Sequence, residues 1–412
     1  MAGYLFYNAT LLDLELGELR PGSSVRTEGE RIVEVAFDGA AIATGDPIVR
    51  IDAAGRTLMP GLIDAHVHAA ITTMDLAAMA RRQSSWQAIE TKFVLEGMLQ
   101  RGFTTVRDAG GLDQGIMNAL AKGLIRGPRV FRSGRVLSQT GGHGDNSPVS
   151  QHPQLCACNI RTDFYAHVAD GVDAVRRAAR EELKAGAHQI KVMAGGGVAS
   201  PTDPIDMLQY TQAEISAAVE EARSRRTYAF AHAYIPEAII RAANAGVRSI
   251  EHGNLIDAAA AKVMVANGCF LVPTLVTYDQ IAEVGKSLGF PTESLKKLDD
   301  VLKGGVKAID VARSAGVQIG FGTDLLGETH PQQSKELLIR MEVQSSLEIL
   351  RSATITNAAL IERSGVLGVI KPGAFADLLL VDGDPLADIS VLTGQGERIG
   401  LIMQGGALFK NV

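Results

Sequence analysis

The chain has 412 residues, 46% of them hydrophobic and 21% charged, which is enough apolar material for a large core and excludes wholesale disorder. Its formal net charge of −6 at pH 7 provides no basic surface for a nucleic acid to follow, so we expect no nucleic-acid partner. No run approaches the roughly 18 apolar residues of a membrane span, and the first residues lack a signal-peptide pattern, so we predict no membrane partner and a cytoplasmic location.

Residues 1–58 predict a small β-module. Short runs rich in β-branched and aromatic residues are separated by turn signals at Pro21-Gly22 and Asp46-Pro47. The predicted strands are Tyr4–Leu12, Ser24–Glu28, Arg31–Ala36 and Ile48–Asp52. We expect this part of the domain to end at residue 58.

Residues 59–366 change to short β-rich runs that alternate with helical periods, a pattern typical of a parallel sheet with crossover helices. Eight candidate strands begin near Leu62, Thr104, Arg129, Gln189, Tyr228, Ser249, Phe270 and Gln318. Eight strands close a (β/α)8 barrel, which takes about 250 residues. The segment therefore predicts an α/β fold of the TIM-like barrel class.

Residues 367–412 return to β-strand patterns. A turn rich in glycine leads into the apolar run Leu378–Val381, and residues 401–409 predict a further strand pair. Because chain termini commonly lie close together in space, we expect both ends to form one small β-sandwich domain beside the barrel.

Two histidines one residue apart, His66 and His68, carry the strongest functional signal. Positions i and i+2 of an extended strand share a face, so both imidazoles can bind one ion. A catalytic metal site usually needs three or more protein ligands. Further candidates lie at the ends of short apolar runs, where a barrel places its active-site residues: Lys191, His232, His252 and Asp324.

Each candidate also has a simpler interpretation. A lone buried histidine is more often a hydrogen-bonded core residue than a ligand, and a lone lysine in an apolar strand is more often an edge residue whose amine reaches water. The recurrence of such residues at the ends of several apolar runs, beginning with the strand of two histidines, favours a metal site over these separate explanations.

Two terminal motifs give these residues a family context. Pro60-Gly61-Leu62-Ile63-Asp64-Ala65-His66-Val67-His68 resembles the opening motif of the amidohydrolase superfamily, and Gly373-Ala374-Phe375-Ala376-Asp377-Leu378 resembles its closing signature. Interior motifs around His143, His232, His252 and Asp324 are similar to the branch of Xaa-Pro dipeptidase-like and imidazolonepropionase-related enzymes, which includes ochratoxin-hydrolysing amidases. The resemblance covers essentially the whole chain.

The resemblance implies a binuclear centre of two divalent metal ions, usually Zn²⁺. His66 and His68 would bind the more buried ion, and His232 and His252 would bind the second. Lys191 would bridge both ions as an N-carboxylated lysine, and Asp324 would contact the first ion and move protons. A lysine held neutral by burial can react with carbon dioxide to give an anionic carbamate with two oxygen ligands, whereas an ammonium cannot bridge two cations.

The implied reaction is hydrolysis of an amide C–N bond in a dipeptide or N-acyl amino acid by a hydroxide that bridges the two metals. Asp324 would accept the proton and deliver it to the departing amine. His143 resembles the family residue that contacts the substrate's carbonyl or carboxylate, and Tyr234 resembles the donor to the developing oxyanion. For both, the simpler interpretation is a loop or rim side chain. Small-molecule amides are the expected substrates, and a homo-oligomer is the expected assembly.

Other functions stay open at this point. One is a cyclic-amide or lactone hydrolase on the same scaffold, and another is a non-catalytic scaffold protein. The segment from Gly141 to Asp170 is long and polar, which is typical of a specificity loop. Its Asn146-Ser147-Pro148 departs from the dipeptidase pattern and leaves room for bulkier N-acyl groups such as ochratoxin-type amides.

Overall fold

The computed structural model describes residues 3–43, 48–79, 81–145, 165–200, 203–288, 290 and 292–411. Most of the predicted specificity loop, residues 146–164 with Asn146-Ser147-Pro148, lies outside this range. In the described parts of the chain, no helix combines the length and the apolar character that a bilayer crossing requires.

Strands and helices follow one another along the chain with few long connections. The strands are β1 (Gly3–Asp13), β2 (Glu18–Glu28), β3 (Arg31–Ala36), β4 (Ile48–Asp52), β5 (Thr57–Pro60), β6 (Leu62–Val67), β7 (Phe103–Asp108), β8 (Arg129–Arg132), β9 (Val136–Ser138), β10 (Ala166–Val168), β11 (Ile190–Met193), β12 (Ala229–Ala233), β13 (Ser249–His252), β14 (Phe270–Val272), β15 (Leu378–Val381), β16 (Ile399–Gln404) and β17 (Ala407–Asn411). The helices are α1 (Leu76–Met79), α2 (Ser84–Gln100), α3 (Gln114–Ala121), α4 (Val172–Lys184), α5 (Gln212–Ser224), α6 (Pro236–Ala245), α7 (Ala258–Ala266), α8 (Leu275–Val284), α9 (Thr292–Ala315), α10 (Lys335–Arg340), α11 (Ser346–Arg351) and α12 (Asn357–Leu360). Short 3-10 turns lie at Gly327–Gln332 and Ile389–Leu392, and a π-helical turn lies at Ser352–Thr356.

Strands from both termini form one mixed sheet in the order β17-β16-β15-β5-β1-β2-β3, and β4 also pairs with β1. β5 joins the two ends of the chain, because it pairs in parallel with β1 and antiparallel with β15. Phe6, Leu58, Leu380 and Met403 are fully buried in the core that this sheet covers. The expected association of both termini is confirmed, whereas their packing as a sandwich stays a prediction.

β2 begins six residues earlier than predicted, at Glu18, and runs through the expected turn at Pro21-Gly22. The pairing of β2 with β1 shifts register between Ala9 and Leu11, which marks a bulge or irregularity opposite this dipeptide. Gly22 adopts φ +66°, a conformation that glycine reaches without strain. A bulge lets the strand continue past a proline that cannot donate to the ladder.

Two parallel sheets occupy the middle of the chain, in the orders β6-β7-β8 and β10-β9-β11-β12-β13-β14. Seven of the predicted strand starts lie within one residue of an observed start. β9 and β10 are only three residues long, and the sequence analysis did not predict them. Because parallel strands are joined by crossover helices, their carboxyl ends meet at one side of the sheets.

The eighth predicted strand, from Gln318, is not a regular strand, and only Ile319 forms a parallel bridge with Leu271. The extended segment that follows nevertheless bonds to both sheets. Gly320 N donates to Leu271 O at 2.8 Å, and Ala65 N donates to Phe321 O at 2.8 Å. The Asn357 side chain bonds to Phe321 N and O and so replaces part of a ladder. Because a side chain rather than a neighbouring strand supplies these hydrogen bonds, the segment is extended but is not a regular strand.

Candidate active site

The predicted site residues come together at the carboxyl ends of the parallel strands. One cavity is lined by His66, His68, His143, Lys191, His232, Tyr234, His252 and Asp324. These residues come from different strands and loops that are distant in sequence, and the fold brings them to one cavity. Ile71, Met193, Ile281 and Leu326 supply apolar walls.

His66 and His68 are buried with ring centroids 5.3 Å apart. His66 Nδ1 donates to Glu251 Oε2 at 2.6 Å, and His68 Nδ1 donates to Gly110 O at 2.9 Å. Each bond fixes the orientation of a ring and leaves Nε2 for another partner. The two Nε2 atoms lie 3.3 and 3.2 Å from Asp324 Oδ1, respectively.

His232 and His252 form the other half of the cluster, with ring centroids 4.5 Å apart. His232 Nε2 donates to Gly196 O at 3.0 Å, which leaves Nδ1 available. His252 Nδ1 lies 2.7 Å from Thr274 Oγ1, which leaves Nε2 available. Burial holds the pKa of both imidazoles well below the ordinary histidine value, so both stay neutral, the form that binds a metal ion.

Asp324 and His252 both have backbone conformations that L-residues rarely adopt. Their φ angles are +53° and +73°. Such conformations cost about 1–3 kcal/mol and persist where the surrounding structure enforces them, often at functional sites. Burial would raise the pKa of the Asp324 carboxyl, but the neighbouring imidazoles of His66, His68 and His252 together outweigh burial and hold that pKa well below the ordinary value. Asp324 is therefore an anion facing the histidines.

Lys191 is 1% exposed and lies on β11, next to strand β12, which carries His232. Burial lowers the pKa of its ammonium to about 8, although Glu251 and Asp324 oppose the shift. A substantial fraction of this amine is therefore neutral in mildly alkaline solution, which is the form that can act as a nucleophile.

These residues fit a divalent metal ion. His66, His252 and Asp324 each offer one ligand atom, and those atoms lie within 4.8 Å of one another. His66 Nε2 is buried and makes no hydrogen bond to the described residues, although it lies 3.3 Å from Asp324 Oδ1. A metal ion between such atoms would give this nitrogen a partner. Imidazole nitrogen and carboxylate oxygen are the donor types of catalytic zinc sites.

His143 and Tyr234 lie beside the histidine cluster rather than on an exposed rim. The His143 ring stacks on His232 with centroids 4.4 Å apart, and its Nδ1 donates to Asp203 Oδ2 at 3.0 Å. The Tyr234 hydroxyl lies 2.8 Å from the Tyr278 hydroxyl. Burial raises the pKa of the Tyr234 phenol above its ordinary value, so the group stays a proton donor.

The sequence analysis missed a buried ion pair beneath the site. Arg107 Nη2 donates to both Glu251 carboxylate oxygens at 2.8 Å, and both side chains are fully buried. Burial would raise the pKa of Glu251, but Arg107, His66 and Lys191 together outweigh burial and hold that pKa far below the ordinary value. The ionised Glu251 in turn orients His66. The sequence did offer a signal for this pair, since Arg107 is a charged residue in the apolar strand β7 and Glu251 is one in the apolar strand β13.

Glu251→Gln is expected to lower the free energy of unfolding by about 3 kcal/mol, because Arg107 keeps its buried charge and loses the matching one. Urea unfolding measures this loss. Glu220→Gln is the matched control, since Glu220 pairs with Arg176 at 2.8 Å with 61% of its side chain exposed, and an exposed pair contributes about 0–1 kcal/mol. Equal losses in the two variants would contradict the assigned importance of the buried pair.

Comparisons with known proteins identify the family of the chain. The family model described as "Amidohydrolase family" matches residues 57–408. The chain is 32% identical over 379 residues to ochratoxinase of Aspergillus niger, covering 86% of this chain and 75% of that protein. It is 48% identical to the crystal structure of a prolidase complexed with N-methylphosphonate-L-proline, with a TM-score of 0.96 and 100% of both chains covered. A Xaa-Pro dipeptidase structure with bound methionine is 30% identical, with a TM-score of 0.88 and the same coverage. The resemblance found in the sequence motifs is confirmed, and the chain belongs to the amidohydrolase family of enzymes.

Proposed function

We propose that the protein hydrolyses the amide bond of dipeptides or N-acyl amino acids and uses two divalent metal ions, Zn²⁺ being the first choice. One observation carries the proposal: four oriented histidines, a buried lysine and an aspartate line a single cavity with two candidate substrate contacts. Membership of the amidohydrolase family supports the same reaction class.

The ligand roles follow from the free atoms of each side chain. His66, His68 and Asp324 would hold one ion, and His232 and His252 would hold the second. Lys191 would bridge them after its neutral amine attacks carbon dioxide, forms an N–C bond and loses a proton, which yields a carbamate anion. When bound, the ions would supply a water molecule of lowered pKa and polarise the scissile carbonyl.

Asp324 is the proposed proton carrier. Its carboxylate lies 3.3 Å or less from two histidine nitrogens, so it is held at the centre of the site. It would accept a proton from the attacking water and transfer it to the amide nitrogen as the C–N bond breaks. Amide hydrolysis needs this proton transfer because the amide nitrogen is a poor leaving group unless it is protonated.

His143 and Tyr234 are the proposed substrate contacts. His143 Nδ1 donates a hydrogen bond to Asp203, so the Nε2 atom of His143 is available to the substrate's carboxylate or carbonyl. The protonated Tyr234 hydroxyl would donate to the oxyanion that develops on the carbonyl oxygen.

The remaining fold predictions belong to the same proposal. We infer a (β/α)8 barrel from residues 59–366, closed through the extended segment that follows Gln318. Residues 1–58 and 367–412 would form the flanking β-sandwich domain. A homo-oligomer stays the expected assembly.

Tyr234→Phe is expected to lower kcat by a factor on the order of 10²–10³ while bound metal is unchanged, because an oxyanion donor acts mainly in the transition state. Steady-state kinetics and elemental analysis measure the two quantities. Tyr228→Phe is the control, because the same hydroxyl is removed from a buried tyrosine that does not line this cavity. Unchanged turnover in Tyr234→Phe would remove the oxyanion assignment.

A release assay across substrate classes tests the proposed function. After zinc reconstitution, the protein is incubated with Xaa-Pro dipeptides, other dipeptides, N-acyl amino acids, ochratoxin, cyclic amides and lactones. Similarity to the prolidase and dipeptidase structures supports Xaa-Pro dipeptides as the first candidates, and similarity to ochratoxinase supports aromatic N-acyl amino acids as the second. Turnover of cyclic amides or lactones alone would favour the alternative hydrolase, and no turnover together with no bound metal would favour a non-catalytic scaffold.

A further inference from the structure

Lys297, on helix α9, contacts the loop that follows β11. Its ammonium donates to the carbonyl oxygens of Gly197, Ser200 and Asp203 at 3.0, 2.8 and 2.5 Å. An ammonium has three N–H donors, so these three carbonyls use its full capacity. Ser200 lines the active-site cavity, whereas Lys297 does not. One partly buried side chain therefore fixes the backbone of a loop that forms a wall of the site.

The same loop fixes His143. Asp203 Oδ2 accepts hydrogen bonds from His143 Nδ1 at 3.0 Å and from Gly197 N at 2.8 Å. His143 N donates to Gln209 Oε1 at 2.8 Å, so the backbone and the ring of His143 are both held. Asp203 itself is fully buried.

Gly197 completes the arrangement, because the His143 ring packs directly against its Cα. A Cβ atom at Gly197 would lie 2.1 Å from His143 Cε1, so only glycine permits this approach. A shift of the loop backbone at Gly197 or Asp203 would therefore move the His143 imidazole, and Lys297 binds the carbonyls of both residues.

We propose that Lys297 is a positioning residue that acts through Asp203 to fix the His143 imidazole toward the substrate. The inference deepens the proposed function and rests on it for the role of His143. Helix α9 would thus contribute to substrate recognition through a residue that does not itself line the cavity.

The kinetic test uses Lys297→Met, which keeps an unbranched side chain and removes the three donors. We expect KM for a hydrolysed dipeptide to rise about tenfold with bound metal unchanged, since removal of an orienting partner typically costs a factor of about 10–100. Lys303→Met, on the exposed side of the same helix, makes the same change in charge and should leave KM unaltered. Lys297→Arg should restore the contact only in part, because a planar guanidinium does not match three convergent carbonyls.

A double-mutant cycle separates positioning from a general structural effect. If Lys297 acts through His143, Lys297→Met should have no further effect on KM in a His143→Ala background. Additive effects, or equal KM values in Lys297→Met and Lys303→Met, would overturn the inference.

Hydrogen exchange gives a readout that does not require activity. In Lys297→Met the amides of Gly197 and His143 should exchange faster than in Lys303→Met, because Asp203 is no longer fixed. Asp203 accepts directly from Gly197 N, and it accepts at 3.5 Å from the side chain of Gln209, which in turn accepts from His143 N. If the unaltered protein hydrolyses no substrate in the release assay, the proposed function falls, and exchange alone then decides the positioning of His143. Unchanged exchange at both amides would overturn it.

Discussion

Replacing Lys191 with alanine is expected to lower kcat/KM for a dipeptide by a factor on the order of 10³ or more, and to lower the amount of bound metal. The proposed bridge holds both ions, and the charge stabilisation that the ions would supply in the transition state is worth several kcal/mol. A loss of about 4 kcal/mol lowers the rate by a factor of 10³. Steady-state kinetics after zinc reconstitution, with elemental analysis of the same sample, measures both effects.

The control is Lys262→Ala, which removes an exposed lysine from helix α7 and should change neither quantity. Short carboxylates such as acetate should restore part of the activity of Lys191→Ala, because they can enter the vacated space and supply the oxygen ligands. Full activity of Lys191→Ala without any additive would refute the carbamate.

Asp324→Asn is expected to reduce kcat by a factor on the order of 10²–10⁴, the usual contribution of a positioned proton carrier, with most of the metal retained. The amide oxygen of asparagine can still meet an ion, but it cannot accept and release a proton at neutral pH. Asp299→Asn, an exposed position on α9, controls for the change in charge.

Three outcomes distinguish the possible roles of Asp324. A large loss of turnover with metal retained assigns it to proton transfer, as proposed. Loss of metal and turnover together would show that Asp324 acts chiefly as a ligand, and unchanged turnover would exclude it from the reaction.

Strand positions were predictable wherever local pattern and tertiary packing agree. β3 and β4 have the predicted bounds, and the strand carrying His66 begins at the predicted Leu62. The start of β2 was missed because a Pro-Gly pair resembles a turn, whereas the register shift opposite it depends on the neighbouring strand β1. The irregular segment after Gln318 depends on the Asn357 side chain, which lies 36 residues away from Phe321 in sequence.

The candidate site was predictable at the residues whose chemistry is unusual for their position. His66 and Lys191 are polar residues in apolar strands, and His68 directly follows such a strand, so the sequence alone marks all three. Asp203 and Lys297 carry no such signal, because charged residues in loops and on exposed helices are common. The contacts of Lys297 with the loop carbonyls, and through them the position of Asp203 against His143, depend on how the loop after β11 meets helix α9, which local sequence does not encode.

We propose that the gathered histidines, Lys191 and Asp324 hold two catalytic metal ions. The most direct measurement is a titration of metal-free protein with Zn²⁺ in bicarbonate buffer, with hydrolysis of the preferred dipeptide followed at each step. We predict no turnover without metal and a plateau at two equivalents per chain. Turnover by metal-free protein, or a plateau at a single equivalent, would contradict the account.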